Sequence, residues 1–379
     1  MNIIKLPFKI KRPVLACGAD MKGAFALARG DEAYLFDGFG DLSDLDNFTG
    51  YEKAVKAVKK RLNIKPEIVV CDLHPGYFST QFAESLQLKA YSLKLYKVQH
   101  HEAHIASAIV DNHIRGEVLG VAFDGTGYGT DGNIWGGEFF SGNIKRLKRV
   151  AHLDYIPMPG GEVSIREPWR MAASYLYSTF GPNFLKLDMD FVKSIDKKGW
   201  KILRQMIDKK INSPLTSSVG RLFDAAGSII LNKANAEFEA QLPIELERIA
   251  QKGINDSYNA ENAAKIIKGM KKDIEERTER SIISAKFHNS IAELILRTAK
   301  KIKIKKVVLS GGVFQNRYLS GRVAYLLGKN GFMVFTHSRV ETNDSGIPIG
   351  QIAIANERAF PPSHSMRIRQ SASANGARK

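Results

Sequence analysis

The sequence predicts an α/β fold built as two lobes. Strand and helix patterns alternate from Pro13 to about Gly142, and the alternation returns from Lys306 onward. The residues in between, from about 168 to 300, have mostly helical patterns. Of the 379 residues, 44% are hydrophobic, which provides a sizeable core and argues against a disordered chain.

The first part of the chain contains two hairpins of similar pattern. Residues 13–36 read as a strand, a Gly/Asp/Lys turn and a second strand, and residues 117–142 repeat this order around a Gly/Asp-rich turn. A helix over residues 50–64 and two further strand–helix units lie between the hairpins. One face of that helix is apolar and carries Tyr51, Ala54, Val55, Val58 and Leu62. Two such hairpins separated by β–α units suggest an actin-like, nucleotide-binding architecture.

We divide the chain between residues 147 and 148. The first lobe, residues 1–147, carries the motifs HHEAH and DGTG, and the second lobe, residues 148–358, carries a helical insertion and the motifs GGVFQN and NDSG. Residues 359–379 are polar and rich in Ser and Arg, so we expect a disordered tail.

The chain is strongly basic, with 56 Lys and Arg against 39 Asp and Glu, a net charge of +17. Such a balance favours an anionic partner such as RNA, a nucleotide or an acidic protein surface. A solvated, lysine-coated surface explains the charge equally well, because the Lys-rich helical segments lack the interleaved aromatic residues of a base-stacking platform.

The expected compartment is the cytoplasm. No apolar run approaches the ~18 residues of a membrane span, and we see no secretory signal. Cys17 and Cys71 lie in apolar, strand-like stretches and read as reduced core thiols. Two cysteines also exclude a four-cysteine zinc site.

The HHEAH motif is the sharpest local signal. His100 and His104 are four residues apart at the start of a predicted helix, so their rings project from one face and can chelate one metal ion. Such a pair alone is more often incidental. Asp124 and Asp344 follow strands, however, and acidic residues at strand ends converge where α/β folds bind ligands. Two histidines and two aspartates suit Fe(II) or Zn(II), whereas His101 points elsewhere.

Three further segments are candidates for nucleotide contacts. Gly125, Thr126 and Gly127 of the DGTG motif provide a backbone that a phosphate can approach, although a structural turn explains the motif equally well. In the first hairpin Lys22 is the corresponding cation, or simply a surface lysine. A buried strand over residues 306–310 runs into Gly311 and Gly312 and then into a helix predicted to start at Val313. Gly311, Gly312 and Asn316 could hold a ribose or base, unless this is a plain βα turn.

Arg221 and Asp224 are placed on one side of a helix turn. Asp224 could accept hydrogen bonds from ribose hydroxyls, and a salt bridge to Arg221 is the ordinary alternative. We read His288 as a packing residue. The chain contains no G-x-S-x-G elbow and no Walker loop, which argues against the commonest hydrolases and P-loop enzymes.

Six separated segments, in the expected order, resemble the carbamoyltransferase half of the HypF family, which matures nickel–iron hydrogenases. This half is itself similar to the tRNA threonylcarbamoyl transferase TsaD and, more distantly, to antibiotic O-carbamoyltransferases. The resemblance covers roughly residues 13–358. The segments are VQHHEAH, AFDGTGYGTDGNIWGGEFF, MPGGEVSIREPWRMA, TSSVGRLFDA, LSGGVFQNRYL and NDSGIPIGQ.

The resemblance implies an actin-like (ASKHA, ribonuclease H-like) fold with a metal and an adenylate in the cleft between its lobes. The implied metal ligands are His100, His104, Asp124 and Asp344, and nucleotide contacts fall on the DGTG motif, Asp224 and the GGVFQN segment. The implied reaction moves a carbamoyl group from carbamoyl-AMP to the C-terminal cysteine of a HypE-like partner. For catalysis we expect charge stabilisation by Lys22 and Arg166, and a role for His101 in orienting the acceptor or shuttling its proton.

The sequence departs from the full-length family pattern in one large way. The acylphosphatase, zinc-finger and YrdC-like adenylation domains have no room here, so we expect the chain to receive carbamoyl-adenylate made elsewhere. Two other functions stay open: a tRNA-modifying threonylcarbamoyl transferase, which the net charge favours but the motifs disfavour, and a non-catalytic nucleotide-binding module. The motifs make tRNA an unlikely partner.

Overall fold

A computed structural model describes residues 1–90 and 92–359 of the chain. Two compact units are present, one formed by residues 1–98 with the segment from residue 348, and one formed by residues 99–347. The lobe boundary placed between residues 147 and 148 falls inside the second unit, and the predicted lobe division stays a prediction. Beyond residue 359, the tail expected to be disordered lies outside the described residues.

A six-stranded sheet forms the centre of the first unit, in the order β1-β4-β3-β2-β5-β6. Strands β2, β3 and β4 form an antiparallel meander, and β5 and β6 run parallel to β2. The strands are β1 (Asn2–Lys5), β2 (Val14–Ala16), β3 (Phe25–Arg29), β4 (Glu32–Phe36), β5 (Ile68–Asp72) and β6 (Lys94–Val98).

Three helices accompany this sheet: α1 (Leu45–Arg61), α2 (Phe78–Lys89) and α13 (Ile347–Arg358). The apolar face predicted for the first of them is confirmed, since Tyr51, Val55 and Val58 are buried in the core of the unit. From α13, the Gln351 amide holds the backbone of Gly18, donating to its carbonyl (3.0 Å) and accepting from its N–H (2.8 Å).

Cys17 and Cys71 are buried free thiols, as predicted, and burial raises the pKa of Cys71 to about 12.

A second sheet forms the centre of the second unit, in the order β10-β11-β8-β7-β12-β13, with β9 also paired to β8. Strands β7, β8 and β9 form an antiparallel meander, and β12 and β13 run parallel to β7. The strands are β7 (Val118–Tyr128), β8 (Ile134–Asn143), β9 (Arg146–His152), β10 (Ile156–Pro157), β11 (Leu215–Thr216), β12 (Lys306–Ser310) and β13 (Met333–Phe335).

The two sheets share the order of five strands, β4-β3-β2-β5-β6 in the first and β9-β8-β7-β12-β13 in the second. In each, a three-strand antiparallel meander is followed by two parallel strands on the other side of its first strand. The predicted α/β class is therefore confirmed, and the repeated hairpin pattern of the sequence corresponds to a repeated sheet topology. Such repetition is what the actin-like prediction requires.

Helices supply most of the second unit between Val163 and Ile302, as the sequence predicts. Their buried residues form a large part of the apolar core of this unit. Among the described residues, no helix is long and apolar enough to cross a membrane. The helices are α3 (His100–Asp111), α4 (Val163–Arg166), α5 (Trp169–Phe180), α6 (Asp190–Ser194), α7 (Lys197–Asp208), α8 (Val219–Leu231), α9 (Gln241–Ile249), α10 (Ala263–Glu275), α11 (Arg280–Ile302) and α12 (Arg317–Lys329).

Two local predictions were wrong in detail. The DGTG motif is not the hairpin turn: β7 continues to Tyr128, and the motif forms a bulge in its pairing with β8 between Phe123 and Gly127. The helix predicted after Gly311 and Gly312 does not start at Val313. A 3-10 turn (Gly312–Gln315) comes first, and α12 starts at Arg317 because the Asn316 side chain caps it.

Candidate metal centre

Helix α3 presents the two histidines of the candidate site. The Gln99 side chain caps this helix by accepting from the Glu102 N–H at 2.9 Å, so the helix begins at His100. Residues four apart then lie on one face. His100 and His104 share that face, and both rings are buried.

The carboxylate of Asp124 is held by backbone amides on one side only. Its Oδ1 accepts from the N–H groups of Gly125 (2.9 Å) and Gly312 (3.1 Å). Its Oδ2 lies 3.3 Å from Nε2 of His100 and 3.1 Å from Nε2 of His104. The amides thus orient the carboxylate so that one oxygen faces the histidines.

Asp344 comes from the 3-10 turn Asp344–Gly346, which Asn343 caps by accepting from the Ser345 N–H. Its Oδ1 lies 3.6 Å from Nε2 of His100 and 3.4 Å from Nε2 of His104. Sequence reasoning grouped these four residues across more than half of the chain, and the structure brings them together.

One donor atom from each of the four residues lies within 4.8 Å of the others. The four histidine–carboxylate separations, 3.1 to 3.6 Å, bracket the ~3.3 Å edge of a tetrahedron whose metal–ligand bonds are ~2.0–2.1 Å. Two imidazoles and two carboxylates are ligands suited to Fe(II) or Zn(II). The residues present therefore fit a divalent transition metal.

The charges of the cluster are arranged for pairing. Burial raises the pKa of Asp124 and Asp344, but the histidines outweigh it: the contacts of Asp124 with the His100 and His104 rings hold its pKa well below the usual value, and mainly the charge of His100 lowers the pKa of Asp344 to about 2. Burial lowers the pKa of His104, yet the two carboxylates raise it overall. Ionised carboxylates facing two imidazoles form an anionic pocket for a cation.

His101 is not one of the four clustered residues, and it is fully buried. Its Nδ1 lies 3.3 Å from Nε2 of Gln99, and the Gln99 Oε1 is already used by the helix cap. Gln99 therefore donates to Nδ1, which leaves the His101 proton on Nε2. That N–H has no partner among the described residues, and burial holds the ring's pKa well below its usual value.

The glycine N–H groups predicted to contact a nucleotide are partly used within the chain. Gly125 and Gly312 both donate to Asp124, and Gly311 donates to the carbonyl of Thr342 at 3.0 Å. Thr126 is half-buried in the bulge, and Gly127 is buried against the rings of His100 and His101. The nucleotide role of these residues stays a prediction.

Asn316 is also engaged. Its Oδ1 accepts from the Leu319 N–H to cap α12, and its Nδ2 lies 2.9 Å from Nε2 of His288. His288 is buried, lies 2.8 Å from the carbonyl of Ser284 through Nδ1, and has its pKa lowered to about 4 by burial. The packing role predicted for His288 is consistent with this, and the nucleotide role of Asn316 stays a prediction.

Arg221 and Asp224 form the buried pair that the sequence suggested as the ordinary alternative, with Nε and Oδ2 2.8 Å apart. Neither atom has a hydrogen-bond partner among the described residues, so the contact is an ion pair. Burial outweighs the attraction of Arg221 and raises the pKa of Asp224 to about 6. A guanidinium nitrogen of Arg221 also lies beside Gly125. The pair is thus next to the bulge of β7, where a polar ligand would complete its hydrogen bonds.

The remaining two predicted catalytic residues are exposed. Lys22 lies in the turn between β2 and β3 of the first unit, and Arg166 is the last residue of α4 in the second unit. The Arg166 carbonyl accepts from the Ala236 N–H. Neither residue is one of the four clustered residues, and their catalytic roles stay predictions.

Sequence reasoning missed Ser218, which supports Asp124, and Glu138, which forms a buried polar network in the same sheet. Ser218 caps α8 through the Arg221 N–H and donates to the carbonyl of Asp124 at 2.7 Å. Glu138 is fully buried and accepts from the amides of Gly136 and Gly137, from the Ser217 hydroxyl and from Arg149. A glutamate within an apolar strand is the signal that could have identified this network.

Two family models match the chain. One, "HypF Kae1-like domain", matches residues 9–111, and the other, "Carbamoyltransferase, Kae1-like Domain, second subdomain", matches residues 120–351. The chain is 34% identical to the carbamoyltransferase HypF of Synechocystis over 374 residues, which covers 92% of this chain and 48% of that protein. It therefore spans about half the length of this relative.

A relative of similar length also exists. The carbamoyltransferase HypF homolog of Cupriavidus necator is 32% identical over 362 residues, covering 90% of this chain and 91% of that protein. Among solved structures, full-length HypF in its phosphate- and nucleotide-bound form matches with a TM-score of 0.87 and 38% identity, covering 94% of this chain and 47% of that chain. The chain belongs to the carbamoyltransferase HypF family, and its similarity covers the Kae1-like part.

Proposed function

We propose that the chain transfers a carbamoyl group from carbamoyl-adenylate to the C-terminal cysteine thiol of a HypE-like partner, during synthesis of the cyanide ligand of nickel–iron hydrogenase. The observation that carries this proposal is the buried cluster of two histidines and two aspartates in a chain of the HypF family. The nucleotide-bound state of a related HypF structure supports an adenylate as the donor.

The reaction balances without a further reactant. The partner's sulfur forms a bond to the carbamoyl carbon, the bond from that carbon to the phosphate oxygen breaks, and AMP leaves with the electron pair. The thiol proton passes to solvent. Because the nucleophile comes from the partner, the buried Cys17 and Cys71 need no part in the chemistry.

His100, His104, Asp124 and Asp344 would hold the cation, Fe(II) or Zn(II). When bound, such an ion supplies Lewis acidity to a carbonyl oxygen. The amides of Gly125 and Gly312 keep the Asp124 carboxylate turned toward the histidines, so this part of the site is preorganised by backbone.

His101 is assigned a donor role. Because its proton lies on Nε2, it is suited to donate a hydrogen bond to an acceptor or substrate oxygen, and less suited to take a proton from the thiol. Its low pKa keeps the ring neutral at physiological pH. Lys22 and Arg166, both exposed, are candidates to stabilise charge on the departing phosphate, and Asp224 to bind the ribose.

The test supplies carbamoyl-adenylate, generated in situ by a separate YrdC-like enzyme, to the metal-loaded chain with a cysteine-ended peptide. Mass spectrometry of the peptide then detects the thiocarbamate. We expect transfer by the wild-type chain and a loss of at least 100-fold in His104→Gln. The exposed His152 provides the control, because His152→Gln removes an imidazole far from the cluster in sequence and should retain activity.

The acceptor is tested in the same assay. The net charge of +17 favours tRNA as an alternative acceptor, with threonylcarbamoyl-adenylate as donor. A small hydroxyl compound tests the O-carbamoyltransferase alternative. Modification of either acceptor in place of the cysteine peptide would overturn the proposal, as would failure of the metal-loaded chain to modify the peptide.

A further inference from the structure

A line of buried polar side chains continues outward from His104. Oγ of Ser310, the last residue of β12, lies 3.5 Å from Nδ1 of His104 and 2.8 Å from Nε2 of His337. Nδ1 of His337 in turn lies 3.7 Å from Oδ2 of Asp111. These groups are sequestered from water, since Ser310 is fully buried and the His337 side chain is 5% exposed.

Asp111 is a fixed anion at the far end of this line. Its carboxylate accepts from the backbone N–H groups of Ser338 (2.6 Å), Arg339 (3.1 Å) and Val340 (3.4 Å), and from the Arg339 guanidinium. A carboxylate with so many donors stays ionised. Its negative charge favours the His337 tautomer that carries a proton on Nδ1, which faces it.

One arrangement of protons then fits these contacts. At 3.7 Å, Nδ1 of His337 is paired with Asp111 by charge and has no hydrogen-bond partner among the described residues. With its proton on Nδ1, His337 offers a bare Nε2, which accepts the hydroxyl proton of Ser310. The Ser310 oxygen can then accept only from Nδ1–H of His104. That leaves the lone pair on Nε2 of His104, the atom that lies among the carboxylates of Asp124 and Asp344.

Without this line, the opposite tautomer of His104 would be favoured in the metal-free chain. A proton on Nε2 would donate to Asp124 or Asp344, both within 3.4 Å, and would block the nitrogen that a metal needs. We propose that Ser310 and His337 act as positioning residues that hold His104 in its metal-binding tautomer. This inference rests on the metal site of the proposed function.

The test measures the dissociation constant for Co(II), a spectroscopic probe for such sites, in chelator-treated full-length chain at fixed pH. Ser310→Ala removes the hydroxyl with almost no change in volume. We expect a 10- to 100-fold weaker dissociation constant and an altered visible spectrum, the range typical of lost partners of metal-bound histidines. His337→Leu should weaken binding similarly, whereas His337→Gln, which retains an acceptor, should recover part of the affinity.

Ser290→Ala is the matched control. Ser290 is an equally buried serine of the second unit that accepts from the Tyr258 N–H and donates to the Lys286 carbonyl, on α11. This variant should bind Co(II) as the wild type does. Melting temperatures of the metal-free chains separate positioning from misfolding: Ser310→Ala and Ser290→Ala should shift them by similar small amounts.

The double variant Ser310→Ala/His337→Leu sharpens the test. If the two residues act through the same series of hydrogen bonds, the double variant should bind Co(II) no more weakly than the weaker-binding single variant. Unchanged Co(II) affinity in Ser310→Ala would overturn the inference while leaving the proposed function intact. A wild-type chain that binds no metal would overturn both, and one that binds metal but transfers no carbamoyl group would overturn the proposed function alone.

Discussion

Five strands of each sheet have the same order, but the aspartates at the first hairpin strand of each sheet have different partners. Asp20 follows β2 in the first unit, and Asp124 lies on β7 in the second; each is 7% exposed. Both oxygens of Asp20 accept from backbone N–H groups at the start of α2, those of Phe78 (2.7 Å) and Ser79 (2.9 Å). Asp124 gives one oxygen to amides and the other to histidines.

A difference in burial therefore does not explain why the pKa values of the two carboxylates shift in opposite directions. Burial raises the pKa of Asp20, and its amide donors do not fully offset that effect. The histidines lower the pKa of Asp124 despite equal exposure. A repeated topology thus provides two similar positions for an aspartate. Asp20, whose two oxygens both accept from backbone N–H groups, anchors a helix, whereas Asp124, which has one oxygen facing histidines, is a candidate metal ligand.

The largest expected effect comes from Asp124→Asn. This change replaces a charged ligand by a neutral amide, and we expect a loss of metal affinity greater than the roughly 10- to 100-fold typical of outer-shell partners. Metal content after dialysis against Fe(II) or Zn(II) measures it. Asp20→Asn is the comparison and should bind metal like the wild type; equal loss in both variants would contradict the distinction.

A smaller loss is expected from Gly127→Ala in the bulge of β7. An added Cβ would lie 2.4 Å from Cε1 of His101 and 2.9 Å from Cδ2 of His100, so the rings must move. We expect metal affinity to fall about tenfold, measured by titration with Co(II). Gly321→Ala, where no atom lies within 4 Å of the new methyl group, should leave affinity unchanged.

Asp20→Ala should affect stability instead of metal binding. It leaves two N–H groups at the start of α2 without acceptors, at a cost of about 1–3 kcal/mol in the free energy of unfolding. Urea denaturation measures this cost. Asp44→Ala removes the exposed cap of α1 and should cost about 1 kcal/mol. A larger loss for Asp44→Ala would show that the buried anchor is not the stronger of the two.

The smallest effect is a difference in pH dependence, on the order of 1 kcal/mol. The raised pKa of Asp20 means that its contribution to stability is full below its unfolded pKa and is lost as pH rises through its folded pKa. Asp124, with a lowered pKa, contributes above its unfolded pKa and loses that contribution as pH falls.

Unfolding free energies of metal-free wild type, Asp20→Asn and Asp124→Asn between pH 3 and 7 test this difference. The destabilisation caused by Asp124→Asn should grow with pH, whereas that caused by Asp20→Asn should shrink. Slopes of the same sign would show that the two carboxylates are not in opposite environments.

Much of this organisation could be predicted from local sequence signals. The i,i+4 spacing of His100 and His104 places both rings on one helix face by geometry alone, and hydrophobic periodicity gave the buried face of α1. Grouping Asp344 with them rested on a rule of fold topology, that acidic residues at strand ends converge where α/β folds bind ligands, and the resemblance to a family implied the same four ligands.

The remaining features depend on tertiary contacts that a pattern does not encode. A glycine-rich segment predicts a turn, yet the pairing of β7 with β8 continues past the DGTG motif and makes it a bulge. Asn316 follows a glycine pair and resembled a ligand contact, but its oxygen caps α12. The roles of Ser310 and His337 likewise depend on which nitrogen of a neighbouring imidazole faces them.

The wide spacing of the four candidate ligands along the sequence has a consequence for stability. More than half of the residues of the chain lie between Asp124 and Asp344, including the helices from α4 to α12. A cation bound by both aspartates would act as a cross-link that closes this long loop and reduces the conformational entropy of the unfolded chain. Loading the site should therefore slow proteolysis throughout the helical insertion, far from the ion itself.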